Sequence, residues 1–131
     1  KWFGFDKSNY EIINGDSRKI TLEECRVIVT EPSFGEILKR MPDKEKANDI
    51  INGFEKLIIS VFNNLKENVS EKIVFTAPFI STIKGRVSCN IKNILKNTGL
   101  KLANIRNINF PIEEFRKGQI IAREIFVLEK S

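Results

Sequence analysis

Residues 26–35 read RVIVTEPSFG and join an apolar run to a polar turn. In the run Arg26–Thr30, three β-branched residues, Val27, Ile28 and Val29, follow one another without alternation. Such runs are typical of strands buried on both faces of a parallel sheet. The turn that follows carries a carboxylate, a proline, a small polar residue and an aromatic ring. We therefore expect an α/β sheet with this turn at its edge.

Strand patterns and helix patterns alternate along the rest of the chain. Short β-prone runs bounded by Gly, Pro or Asn predict strands, and apolar residues at i, i+3 and i+4 predict helices. Two late β-prone runs joined by the polar turn Glu113–Gly118 predict an antiparallel hairpin. The predicted elements are strands at Tyr10–Ile13, Arg26–Thr30 and Lys72–Ala77, helices at Asp43–Asn68 and Ile83–Asn97, and hairpin strands at Leu102–Phe110 and Gln119–Leu128.

This order predicts a single α/β domain over residues 1–131, with a mostly parallel sheet and a terminal antiparallel hairpin. Residues 1–9 lack a clear period and are expected to form the tail of a preceding helix or a loop. Pro78 is expected to end the third strand, and Gly99 to end the second helix. No linker or repeat divides the chain.

Composition excludes several classes of function. The 131 residues include no His and two Cys, Cys25 and Cys89, so His-based catalysis, His metal sites and Cys₄ sites are excluded, and no metal is expected. The two thiols indicate a reducing, cytoplasmic location. No apolar run reaches the roughly 20 residues that span a bilayer, so no membrane partner is expected. A net charge of +5 permits a nucleic-acid partner.

Open α/β sheets bind ligands beyond the carboxyl ends of their strands, where residues 30–35 are expected to lie. The Glu31 carboxylate and the Pro32 carbonyl could both accept hydrogen bonds from one exocyclic NH₂ group, and Phe34 could stack on the ring that bears it. Two acceptors favour a pyramidal nitrogen with a localised lone pair, so the arrangement suits methylation of an aromatic amine. The alternative is an ordinary structural turn, since turns favour Pro and Gly.

Three segments carry a resemblance to a known family: Gly15-Asp16, residues 28–35 (IVTEPSFG) and residues 122–130 (AREIFVLEK). In this order they resemble the C-terminal part of the S-adenosylmethionine-dependent RNA guanine-N2-methyltransferases, enzymes often linked to a THUMP RNA-binding domain. The resemblance covers nearly the whole chain. It implies the class I Rossmann-like methyltransferase fold, the cofactor S-adenosylmethionine and an RNA substrate, with tRNA as the expected one.

The resemblance also implies roles for individual residues. Asp16, with its neighbour Ser17, would contact the adenine of the methyl donor. Glu31 and the Pro32 carbonyl would hold the target amine, Phe34 would stack on the base, and Ser33 stands where the family more commonly has a second proline. Basic residues near the ligand side are predicted to contact RNA phosphates. These residues are Lys39, Arg40, Lys84, Arg86 and Arg116.

The family's first strands and Gly-rich donor loop have no counterpart in this sequence. In the family's sheet the missing strands lie between those that hold Tyr10 and Val27, so both neighbouring edges would be unpaired. The expected partner is the N-terminal half of the domain, from the same gene or a separate chain, and a homodimer through the exposed edges is the alternative. Alone, the chain is expected to be inactive.

Two functions stay open at this point. One is the RNA methyltransferase, and the other is a non-catalytic RNA-binding or scaffold module on a degenerate methyltransferase fold. Ser33 and the missing donor loop motivate the second. An unrelated flavodoxin-like domain is less favoured, because a terminal hairpin is not part of that pattern.

Overall fold

The computed structural model describes residues 9–35 and 37–131. The predicted tail at residues 1–9 lies almost wholly outside the described residues. The strands are β1 (Cys25–Thr30), β2 (Val69–Thr82), β3 (Gly85–Ser88), β4 (Leu100–Leu102), β5 (Ile112–Glu114) and β6 (Ile121–Lys130), and the helices are α1 (Lys44–Leu65), which continues into a 3₁₀ turn (Lys66–Asn68), and α2 (Ile91–Thr98).

The sheet is organised around its two longest strands, β2 and β6. They pair antiparallel from Ile73 opposite Leu128 to Ile80 opposite Ile121. The strand order is β1-β2-β6-β4, with β3 paired to β2 and β5 paired to β6. Among the described strands only β1 and β2 are parallel, so the predicted mostly parallel sheet is wrong. The antiparallel share is large because two short hairpins and β4 all add to β2 or β6.

Helix α1 forms where its apolar period predicts it. Asp43 caps its start by accepting a hydrogen bond of 2.7 Å from the Lys46 backbone N–H. The buried face of the helix packs against β2, where the rings of Phe62 and Phe75 meet edge-on at 5.1 Å. Phe75 in turn stacks on Phe126 of β6 at 5.5 Å. Helix and central strands therefore share one hydrophobic core.

The second helix is shorter than predicted, because residues 83–88 form a hairpin instead. Ile83 and Lys84 make the turn between β2 and β3, where the Thr82 hydroxyl donates to the Gly85 carbonyl at 2.6 Å. Gly85 has φ of +111°, a conformation that glycine adopts without strain. This local turn chemistry outweighs the helical spacing of the apolar residues. The prediction that Gly99 ends the helix is confirmed.

Strand β2 runs through Pro78, so the prediction that this proline ends it is wrong. Pairing with β1 stops at Phe75, and pairing with β3 starts at Phe79. Pro78 lies in the gap between them, where the ladder on that side needs no N–H. The proline therefore marks a change of partner rather than the end of the strand.

The N-terminal strand predictions fail in part. Tyr10–Ile13 is not a strand, and its side chains are exposed. Strand β1 forms, but Val27 and Val29 are exposed, so the prediction that both its faces are buried is wrong. Within residues 9–35 and 37–131, no strand pairs with the outer edge of β1. Residues 10–13 therefore have no neighbouring strand in the described sheet to pair with.

The antiparallel hairpin at the end of the chain is confirmed, with a different first strand. Leu102–Phe110 was expected to pair with β6, but only Leu102 of that range lies in a strand. Ile112–Glu114 pairs instead, with Glu113 opposite Glu124. The backbone reverses at Asn107, which has φ of +64°, so the predicted run cannot stay extended.

Candidate active site

The Glu31–Gly35 turn leaves β1 at its carboxyl end and packs beside α1. The half-buried ring of Phe34 meets the buried ring of Phe54 edge-on, with centroids 5.9 Å apart. The Ser33 hydroxyl accepts a hydrogen bond of 3.3 Å from the Gly35 N–H. An aromatic contact and a local hydrogen bond thus fix the turn. Ser33 fills its position with a turn-stabilising bond that a proline could not make.

Glu31 is oriented by a residue from a distant part of the chain. Its Oε1 forms an ion pair with Nε of Arg123, which lies on β6 opposite Pro78. The Glu31 side chain remains 56% exposed and that of Arg123 40% exposed. The carboxylate is therefore held on one side by a guanidinium group while remaining open to solvent.

A groove of about 530 Å³ lies between this turn and the β5–β6 hairpin. Its volume is within the range of roughly 300–1,000 Å³ typical of ligand pockets. Glu31 does not line the groove, but its partner Arg123 and the ring of Phe34 do. The remaining lining residues come from the segment after the turn and from the hairpin, and they are Gly35, Ile37, Leu38, Lys39, Gly118, Gln119, Ile120 and Ile121.

Asp16 and Ser17 lie at the opposite end of β1. The Asn64 side-chain amide donates to the carbonyls of Ser17 (3.0 Å) and Ile20 (2.8 Å), which ties this segment to the last turns of α1. Phe54, which contacts the Glu31 turn, is ten residues earlier, or roughly 15 Å along the helix axis. The structure therefore does not bring Asp16 and Ser17 together with Glu31.

The carboxylate of Asp16 is bound by its own neighbour. Arg18 donates from Nη2 to Oδ2 at 2.7 Å, from Nε to Oδ1 at 3.0 Å and from its backbone N–H to Oδ1 at 2.9 Å. These hydrogen bonds lower the pKa of Asp16 from 3.8 to about 2. In this arrangement Asp16 would have to leave Arg18 before its carboxylate could contact the adenine of a donor.

The five predicted RNA-binding residues all lie toward the carboxyl ends of β1 and β2. Lys39 lines the groove, and Arg40 follows it in the same loop. Lys84 and Arg86 lie on the β2–β3 hairpin, and Arg116 lies in the turn between β5 and β6. The structure thus brings the basic residues to the end of the sheet that holds the Glu31 turn. Arg86 is already paired with Glu113 at 3.1 Å.

Two acidic side chains and a thiol are buried in this domain. Glu55 of α1 accepts hydrogen bonds from the Asn90 N–H (3.0 Å) and the Asn93 amide (2.8 Å), so it fixes the start of α2. Burial raises the pKa of Glu124. Burial, followed by the two carboxylates, raises the pKa of Cys89 to about 12, so this thiol stays protonated at neutral pH.

Sequence reasoning missed Arg123 as the partner of Glu31. The signal was its position on β6, where the alternate residues Ala122, Glu124 and Phe126 are buried and Arg123 points to the other face. An arginine that lies between buried residues of a strand is expected to form an ion pair with a carboxylate. The partner could not be read from the sequence, because it is separated from Arg123 by most of the chain.

No family model matches the sequence, and no curated protein matches it. Among solved structures, the chain is similar to a proposed DNA modification methylase from Thermus thermophilus, with a TM-score of 0.52 and 13% identity over 88% of this chain and 50% of that chain. The fold is methyltransferase-like. At this identity the similarity concerns the fold alone, and the chain spans about half the length of that protein.

Two further kinds of feature are absent from the described residues. None of the helices in residues 9–35 and 37–131 is long and apolar enough to cross a membrane. Across those same residues, no cluster of three or more Cys, Asp or Glu side chains has the arrangement of a metal site.

Proposed function

We propose that this chain is the C-terminal part of a class I, Rossmann-like RNA methyltransferase that uses S-adenosylmethionine to modify an exocyclic guanine amine, with tRNA as the substrate. The observation that carries the proposal is the groove beside the turn, with Phe34 on its wall and Arg123 joining it to Glu31. The similarity of the fold to that of a proposed methylase supports it. The free thiols Cys25 and Cys89 fit a cytoplasmic location.

The chemistry assigned to the turn concerns the acceptor amine. The lone pair of an aromatic amine is delocalised into its ring, which makes the nitrogen a poor nucleophile. In the proposed complex, the Glu31 carboxylate and the Pro32 carbonyl accept the two N–H groups and leave the lone pair on the nitrogen. Oriented acceptors of this kind act by electrostatic preorganisation.

Phe34 and Arg123 support this arrangement from two sides. Phe34 rests on Phe54, so a flipped-out base that stacks on its other face meets a ring already fixed by the core. Arg123 holds one oxygen of Glu31 and limits the rotation of the carboxylate. The rest of the Glu31 side chain stays accessible to a ligand, because 56% of that side chain is exposed to solvent.

The methyl donor requires more than the described residues. Asp16 is bound by Arg18 and is remote from the groove, so these residues do not form a donor site by themselves. We propose that the N-terminal half of the domain, from the same gene or a separate chain, completes the donor site and brings Asp16 and Ser17 to it. The outer edge of β1 supports this, because no strand of residues 9–35 and 37–131 covers it and such an edge can accept an added strand.

Methyl transfer from radiolabelled S-adenosylmethionine to unfractionated tRNA tests the proposal. The complete gene product that contains this chain is compared with its Glu31→Ala variant, which is expected to lose about 100-fold in turnover. Glu71→Ala is the matched control, because Glu71 also pairs with an arginine, Arg26, but lies on the exposed part of β2. Near-normal methylation by the Glu31 variant would remove this residue from the mechanism. The chain tested alone is expected to be inactive.

A second candidate is the non-catalytic RNA-binding or scaffold module. It is favoured by one observation: both functional carboxylates predicted from the sequence, Asp16 and Glu31, are ion-paired with arginines of the chain itself. Titration of the complete gene product with S-adenosylmethionine separates the two. Donor binding supports the enzyme, whereas RNA binding without donor binding supports the scaffold.

A further inference from the structure

Two hairpin tips lie side by side at the carboxyl end of β2. One is the β2–β3 turn at Ile83 and Lys84, and the other is the β5–β6 turn at residues 115–120. The Ser81 N–H donates to the Ile120 carbonyl at 3.0 Å, and the Arg86 guanidinium lies 5.4 Å from the ring centre of Phe115. The two tips therefore form one continuous surface, called here the tip surface.

The tip surface contains an aromatic ring, that of Phe115, which packs against the core on one side and is exposed to solvent on the other. Phe115 is 56% exposed, and its ring meets the buried ring of Phe79 at 6.2 Å and 75°. The Arg86 guanidinium lies 4.6 Å from the centre of the Phe79 ring. Ile83, on the other tip, is 92% exposed. An exposed ring that is fixed by a buried ring can serve as a stacking platform for a base.

Basic residues lie on the same two tips as this ring. Lys84, Arg86, Arg116 and Lys117 are exposed on the two tips, against two acidic residues, Glu113 and Glu114. Glu113 is already paired with Arg86 at 3.1 Å, so the surface offers net positive charge next to an open aromatic face. Single-stranded nucleic acid has the matching chemistry, because its phosphates pair with Lys and Arg and its bases stack on aromatic rings.

The position of the tip surface favours a polymer over a membrane. Gly118–Ile121 belongs to the second tip and also forms one wall of the groove beside the Glu31 turn. A strand bound across Phe115 would therefore continue directly into that groove. A membrane would contact the tips without using this connection.

We propose that the tip surface binds single-stranded RNA, with one base stacked on Phe115 and phosphates on Lys84, Arg116 and Lys117, next to the nucleotide that enters the groove. The inference rests on the proposed function in taking RNA as the ligand. It adds a binding residue, Phe115, and a preference for unpaired RNA over duplex.

Fluorescence anisotropy with a labelled 12-nucleotide RNA, free and annealed to its complement, tests this in the complete gene product. Phe115→Ala is expected to weaken binding of the single strand about 10-fold, since stacking on an aromatic ring is lost. Phe115→Tyr keeps the ring and is expected to bind normally. Phe115→Leu keeps apolar bulk without a ring and should bind as weakly as the alanine variant, which separates stacking from folding.

The charge component is tested with the double variant Arg116→Gln/Lys117→Gln. It is expected to weaken binding and to lower the slope of log affinity against log salt by about 1.4, for two lost phosphate contacts on a single strand. Lys92→Gln/Lys96→Gln is the matched control on the exposed face of α2 and is expected to leave the affinity and the slope unchanged.

Two results would overturn the inference. One is an RNA affinity that is unchanged in Phe115→Ala. The other is that the tip variants bind RNA normally but bind less to vesicles of mixed neutral and anionic lipids, which would assign the surface to membranes. The proposed function would be refuted by a different result from the tip surface. If tip variants weaken RNA binding while the wild-type protein transfers no methyl group to any RNA, the tip surface stands and the methyltransferase proposal does not.

Discussion

The two polar turns that flank β1 are anchored to α1 by different chemistry. The turn after β1 uses an aromatic contact between Phe34 and Phe54, whereas the segment before β1 uses amide hydrogen bonds from Asn64 to Ser17 and Ile20. The contact between Phe34 and Phe54 involves no polar group. It therefore does not require the Glu31 carboxylate to be buried, and this side chain is 56% exposed. In the second segment the backbone carbonyls and the Asp16 carboxylate are engaged within the chain.

This difference indicates which turn is free to act on a ligand. A turn held by its aromatic ring can direct its carboxylate and carbonyls outward, because they are not needed to fix the backbone. A turn held by its polar groups must release them before it can bind anything else. In this conformation Arg123 holds one oxygen of Glu31, whose side chain is 56% exposed, whereas Arg18 binds both oxygens of Asp16, whose side chain is 36% exposed.

Removing the aromatic anchor should have the largest effect. Phe54→Ala deletes a buried ring that supports both Phe34 and the core, and we expect the free energy of unfolding to fall by about 3–5 kcal/mol. Urea denaturation measures this. Phe115→Ala is the matched control, because its ring is half exposed, and should cost much less. Equal losses in the two variants would contradict the anchoring role of Phe54.

The residues around these turns also show what the sequence could predict. The helix α1, the parallel pairing of β1 with β2 and the terminal hairpin follow from local patterns, and they form. Ile83, Val87 and Ile91 also repeat at helical spacing, but the glycine at position 85 and the Thr82 hydroxyl close a hairpin first. Local turn chemistry can therefore determine the secondary structure of a segment even where its apolar residues are spaced as in a helix.

The arrangement of the candidate site was less accessible to sequence reasoning. Glu31 was identified from its turn, but its orientation depends on Arg123, which pairing with β2 places near it. Asp16 follows residues 10–13, and a strand there, as predicted, would have placed Asp16 at the carboxyl end of that strand. Without that strand, Asn64 fixes the segment at the other end of β1. Long-range pairing sets both positions, and spacing does not encode it.

Breaking the polar anchor should have a smaller, more local effect. Asn64→Ala removes two hydrogen bonds, and we expect a loss of about 1–2 kcal/mol. Amide exchange should accelerate at Lys19 and Ile20, whose N–H groups donate to the Asp16 carbonyl, and not at Gly35. Faster exchange at Gly35 as well would mean that the two turns are coupled. Asn52→Ala, on the exposed side of α1, serves as the control.

A substitution next to the aromatic anchor should stabilise the protein slightly. A Cβ added at Gly53 would meet no heavy atom within 4 Å, so Gly53→Ala gains helix propensity without a clash. The expected gain is about 1 kcal/mol or less, measured by urea denaturation. Gly99→Ala is the control of opposite sign, because this residue has φ of +72° at the end of α2. A loss of stability in Gly53→Ala would show that the helix is not free to accept a side chain there.

The ion pair at Asp16 should give the smallest effect, and one that depends on pH. Arg18 lowers the pKa of Asp16 from 3.8 to about 2, so the pair stabilises the folded state above about pH 4 and this contribution is lost as the pH falls toward 2. Asp16→Asn and Arg18→Gln should each flatten the stability profile in that window by the same small amount, because exposed pairs contribute little. Carbon-13 titration of the Asp16 carboxyl gives the pKa directly. A midpoint near 3.8 in the folded protein would mean that Arg18 does not hold this carboxylate, and the contrast between the two turns would then lose its electrostatic part.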